Sequence, residues 1–170
     1  MKKFYFTLIM LIIIPISLLN AQFVNRQAGF RMGYRGGIFY QVTREAGNAE
    51  IGYNAMVGFS HNGVQVTGLR VVYETALNSI SPDLYFAWGY GAHAGFIYTD
   101  QVGFLGETYS FGRDRFCPLF GADGWISAEY RVREIPLNIS LNLKPFVEIT
   151  IPAFVKVMPV DLAVSISYAF

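Results

Sequence analysis

From residue 23 onward, apolar and polar positions alternate with a period of two in segments of about ten residues, separated by turn-forming residues, which predicts strands rather than helices. The last segment shows it best. Val160, Leu162, Val164, Ile166, Tyr168 and Phe170 form one apolar face, opposed by Asp161, Ala163, Ser165, Ser167 and Ala169. Leu137, Ile139, Leu141 and Leu143 oppose Asn138, Ser140, Asn142 and Lys144 in the segment before it. The runs Phe120–Val132, Leu84–Tyr98 and Ile51–Phe59 repeat the pattern. A shift of one residue would exchange the two faces, so the alternation fixes the orientation of each strand.

Between Val64 and Glu74 the apolar phase changes, from Val64 and Val66 to Leu69, Val71 and Tyr73. One extra residue reverses an alternation, so a bulge is expected near Gly68. Residues 23–44 are expected to hold two strands joined by a turn at Arg35-Gly36-Gly37. Short turns are predicted around Glu45–Asn48, at Ser79–Asp83 and at Arg133-Glu134-Ile135-Pro136, and a hairpin at His61-Asn62-Gly63. Residues 99–118 and 149–157 are expected as outer loops. The sum is an all-β, antiparallel, up-and-down transmembrane β-barrel of about eight strands. A soluble β-sandwich also alternates, but its outer face would be rich in Lys, Glu and Thr; here the polar faces carry Gly, Ser and Asn, which suit a narrow interior.

The N-terminus reads as an address. Lys2 and Lys3 precede an apolar run from Phe4 to Leu19, ended by Asn20-Ala21-Gln22. Positive charge, apolar stretch and small residue form the secretory signal pattern. The alternative, a retained membrane helix, is opposed by Pro15 and by a run short of the ~20 residues that a span needs. The expected organisation is a signal peptide over 1–21 and a barrel domain over 22–170, with delivery to the bacterial outer membrane.

Composition agrees. Charged residues are 15% of the 170 and aromatic residues 16%, against roughly 25% charged in ordinary soluble domains. A net charge of +1 offers no basic field for nucleic acid. A single cysteine, Cys117, excludes an internal disulfide.

The terminal Ser167-Tyr168-Ala169-Phe170 resembles the C-terminal assembly signal of outer-membrane barrels. With Val66-Thr67-Gly68-Leu69, Gly89–Phe96 and Glu134–Ser140, the chain resembles small Bacteroidetes-type outer-membrane barrels of OmpA/OmpX-like, eight-stranded architecture. The resemblance implies that the barrel-insertion machinery reads Phe170, and it implies no activity.

In these registers the inward charges are Arg31, Arg70, Arg131 and Lys144 against Glu50, Glu74, Glu129 and Asp161. Such charges are costly to bury singly and are expected to pair across the lumen. Two outcomes stay open: a polar plug that makes the barrel a structural or surface-interaction protein, or a narrow pore for ions or small solutes. A lipid-modifying enzyme is the third reading. Only His61 and His93 are available as bases, and no Ser is tied to either by spacing, so no catalytic residue, cofactor or metal site is assigned. Aromatic girdles are expected near Tyr98, Tyr130, Tyr168 and Phe170. The 99–119 loop mixes charge with aromatics and is the candidate contact for a protein or a glycolipid; the remaining partner is membrane lipid.

Overall fold

Wherever the alternation is regular, the chain forms a strand. The computed structural model describes residues 24–46, 49–60, 62–77, 80–104, 107–132, 134–151 and 154–170. The expected signal peptide and His61 lie outside them. In order come β1 (Val24–Gly33), β2 (Gly36–Ala46), β3 (Ala49–Ser60), β4 (Gly63–Glu74), a short 3-10 helix (Thr75–Leu77) and β5 (Leu84–Phe104). Then follow β6 (Glu107–Arg131), β7 (Leu137–Leu143), β8 (Phe146–Thr150), β9 (Phe154–Met158) and β10 (Leu162–Ala169).

All pairings are antiparallel, in one ten-stranded sheet of order β5-β4-β3-β2-β1-β10-β7-β6-β8-β9, and β5 also pairs with β6. β7 and β8 lie end to end along β6: Ile126–Arg131 bond to β7, and Leu119–Asp123 to β8. β10 and β9 follow end to end on their far side. The breaks have a chemical cause. Pro145 has no N–H to give to the ladder, although its carbonyl still accepts from Gly124 N at 2.8 Å. Opposite it, Lys144 N donates to Asp161 O at 2.9 Å, so the two interruptions face each other.

Burial is inverted relative to a soluble sheet. The apolar positions Phe30, Tyr53, Val66, Leu141, Leu162 and Tyr168 are exposed, while Gln27, Arg31, Asn142, Lys144 and Asp161 are buried. Among the described residues, buried polar and charged side chains outnumber buried apolar ones.

Three expectations are corrected. First, ten strand segments stand where about eight strands are expected, because the predicted outer loop over 149–157 contains the end of β8 and most of β9. The prolines around these short strands read as turn signals and masked the alternation of Phe146–Thr150. Second, the 99–118 loop is the distal part of the β5–β6 hairpin, paired as far as Phe104↔Glu107, with a register shift between Thr99 and Gln101. β4 leaves β5 at Ile97, and β8 leaves β6 at Leu119. Beyond those points the ribbon has no ladder neighbour on either side in these pairings, so nothing selects one apolar face. Third, no bulge forms at Gly68: the β3–β4 register is continuous from Glu50↔Tyr73 to Ser60↔Gly63. The phase change is chemical rather than geometric, because Leu69, Val71 and Tyr73 point inward together with Gln65 and Thr67.

Candidate functional site: the polar interior

The inward face gathers two networks. In the first, Arg31 extends from β1 and is fully buried. Its Nη1 lies 3.2 Å from Asp161 Oδ2, its Nη2 donates to Asp161 O at 3.0 Å, and its Nε donates to Asn142 Oδ1 at 2.8 Å. Lys144, presented by the break between β7 and β8, donates to Asp123 Oδ1 at 2.6 Å. The other oxygen of Asp123 meets His93 Nδ1 at 2.8 Å, and His93 Nε2 faces Glu148 Oε2 at 3.2 Å. Carboxylates only accept, so a ring protonated on both nitrogens satisfies both contacts. Arg35 closes the chain, donating to Glu148 Oε2 at 2.6 Å and to Gln65 Oε1. Its guanidinium also lies 4.4 Å from the Phe146 ring centroid. Asp161 Oδ1 is buried and accepts no hydrogen bond among the described residues.

The second network centres on Tyr73. Its hydroxyl accepts from Gln41 Nε2 at 2.6 Å and donates to Glu129 Oε2 at 3.1 Å. Arg131 Nε donates to Glu129 at 2.8 Å, while Nη1 and Nη2 hold both oxygens of Glu50 at 2.9 and 3.0 Å. The same guanidinium lies 4.1 Å from the Tyr85 ring centroid. Gln27 accepts from Asn138 and Ser167 at 2.9 and 2.8 Å. Along β4 the inward residues run Gln65, Thr67, Leu69, Val71, Tyr73, so two apolar side chains separate members of the two networks. Leu69 and Val71 pack with Ala87, Tyr85 and Trp125.

The structure distributes the candidate residues as follows. Arg31 and Asp161 meet, and Lys144 lies beside them; Glu50, Glu129 and Arg131 form one cluster. Arg70 and Glu74 are corrected to the outward face, because the uninterrupted alternation of β4 places Leu69, Val71 and Tyr73 inside. Arg70 lies 6.0 Å from the Tyr90 ring centroid, and Glu74 accepts from Trp88 Nε1 at 2.7 Å. Tyr168 and Phe170 are exposed and stacked, with ring centroids 6.4 Å apart. Tyr98 and Tyr130 are also exposed.

Arg35, Asp123 and Glu148 are charged members of the interior outside the predicted set. Arg35 sits in a two-residue turn with Tyr34, where alternation gives no direction. Glu148 alternates with Val147 and Ile149 along β8, so the direction of its side chain follows once Phe146–Thr150 is recognised as a strand. His93 lies between the carboxylates of Asp123 and Glu148, an arrangement that holds the imidazole in place. The two acids approach opposite edges of the ring, and among the described residues no group of His, Cys, Asp and Glu gathers as metal ligands.

An antiparallel all-β sheet with an apolar exterior and a hydrogen-bonded, charged interior defines the class of this protein. No family model matches the sequence, and no curated protein matches it. Among solved structures the chain is similar in fold to the N-terminal β-barrel domain of Pseudomonas aeruginosa OprF, with a TM-score of 0.55 and 9% identity over 86% of this chain and 96% of that one. At that identity the likeness is one of fold alone.

Proposed function

We propose that this chain is a small bacterial outer-membrane barrel of eight strands whose lumen is filled by its own side chains, acting as a structural or surface-interaction protein. Counting β7 with β8 and β9 with β10 as single interrupted strands gives eight, and the β5–β6 pairing supports a closed ring. The observation that carries the proposal is the inverted burial. Leaving one large apolar side chain in water forgoes roughly 1.5–3 kcal/mol; Phe30, Met32, Tyr53, Val66, Leu141 and Tyr168 are each more than half exposed. A lipid solvent removes that cost for all of them at once. The OprF domain, a β-barrel by its description, supports the closed architecture.

In this proposal residues 1–21 are a cleaved export signal and 22–170 the barrel domain. Phe170 and Tyr168 are the assembly signal read by the insertion machinery. The connections at 45–48, 75–83 and 133–136 face the periplasm, and the β5–β6 ribbon projects outward, where a protein or a glycolipid would meet it. Tyr98 and Phe116, with ring centroids 5.6 Å apart, belong to the outer aromatic girdle. The interior favours a plug over a pore, because its charges bind one another. Single-channel recording of the folded protein in a planar bilayer tests this. A plugged lumen gives no steady current; a reproducible conductance altered by Glu129→Gln would establish the pore instead.

A further inference from the structure

Charged side chains on the outward face are few and lie to one side. Followed through the paired registers, the outward positions of β5 up to Tyr98, of β6 from Phe116, and of β7, β8 and β10 carry none. Those of β1, β2 and β4 carry Arg26, Arg44, Arg70 and Glu74, all toward the end of the strands where β4 leads into the 3-10 helix. The carboxylate of Glu74 accepts from Trp88. Arg70 lies between Tyr53 and Tyr90 in register, with its guanidinium against the Tyr90 ring.

The same face holds a groove of about 640 Å3, whose lining includes Phe30, Ile38, Val57 and Tyr168 together with the small Ala28 and Ala55. Gly68, two residues from Arg70, pairs with Ala55 and Ala92, and a Cβ added to it would meet nothing within 4 Å. Val66 and Ala55 line the groove, and along β4 Gly68 lies between Val66 and Arg70, at whose level Tyr53 and Tyr90 are exposed.

We propose that this face binds one anionic glycerophospholipid, its phosphate on Arg70 and an acyl chain along the groove. The proposal rests on the barrel of the preceding subsection, which places this end of the strands in the periplasmic leaflet. Charge complementarity selects the occupant. A guanidinium at the membrane boundary recruits an anion, and its planar fork matches a phosphate. Tyr53, Tyr90 and Trp88 supply rings suited to headgroup depth. A second copy of the chain would set Arg44 and Arg70 against a like basic face, which argues against a dimer.

Trp88 makes the proposal measurable. It is exposed on this face, whereas Trp125 is half-buried and packs on the inward cluster. Full-length protein, expressed and processed in a Gram-negative host, is reconstituted into phosphatidylcholine vesicles. These carry a small fraction of either brominated phosphatidylglycerol or brominated phosphatidylcholine, and insertion is verified by the mobility of unboiled protein on a gel. Bromine quenching should favour the anionic lipid about fivefold, the ratio that one interfacial cation supports. Arg70→Gln should abolish the preference, and Arg70→Lys should retain most of it. Equal quenching by the two lipids in inserted wild-type protein, or a preference unchanged in Arg70→Gln, overturns the lipid site alone. Failure of the wild type to insert overturns the barrel as well.

Discussion

Lys144 and Asp123 form an ion pair of 2.6 Å in which neither side chain has any solvent exposure. The pair exists because two strands break opposite each other. Lys144 occupies the break beside Pro145, and Asp123 comes from the uninterrupted β6. A kink that costs ladder hydrogen bonds thereby places a cation at the centre of the interior.

Lys144→Met leaves Oδ1 of the buried Asp123 without its donor while His93 still holds Oδ2, and should destabilise the folded protein by about 1–3 kcal/mol. Replacing both, as Lys144→Met with Asp123→Leu, should recover much of that loss. Urea unfolding in vesicles, followed by tryptophan fluorescence, measures both variants. A single variant as stable as wild type would mean that water reaches Asp123.

Tyr73→Phe isolates one hydroxyl. Its loss removes the donor to Glu129 Oε2 and leaves Gln41 Nε2 only the longer contact with Thr43 Oγ1 at 3.3 Å, at a cost of about 1–3 kcal/mol. The ring keeps its packing, so the same unfolding experiment should show a lowered midpoint with an unchanged slope.

Two neighbouring glycines should respond oppositely. A Cβ on Gly91 would lie 2.0 Å from the carbonyl oxygen of Gly68, whereas a Cβ on Gly68 itself meets nothing within 4 Å. Gly91→Ala should reduce the yield of folded protein, and Gly68→Ala should leave it unchanged, as read from the ratio of heat-modifiable to unfolded bands.

The contrast between those glycines also marks what the chain discloses on its own. The strands ending in Tyr168 and Tyr130 were legible because each has one wholly apolar face. β4 was misread because Leu69, Val71 and Tyr73 look lipid-facing, yet they form the apolar part of the interior. That assignment pulled Arg70 and Glu74 inside with it. Alternation reports that two faces differ; it does not say which is buried when both carry apolar residues. Arg35 was hidden for another reason: its side chain turns inward from a tight turn, and only the tertiary positions of Glu148 and Gln65 determine that.

Deleting Phe170, or replacing it with Ala, should lower the amount of protein recovered in the outer membrane while periplasmic precursor accumulates. Membrane fractionation with immunoblotting reads both pools. Recovery at the wild-type level would remove Phe170 from the assembly signal.

Spin labels on the apolar face of the strands distinguish lipid from water as its solvent. With Cys117 replaced by Ser, single cysteines at Ile139, Leu141, Val164 and Ile166 are labelled in the reconstituted protein. Collision with oxygen is then compared with collision with a water-soluble nickel complex. A lipid-facing surface gives high oxygen and low nickel accessibility at all four positions. Preferential access of the nickel complex to these sites would place the apolar face in water and contradict a membrane-spanning barrel.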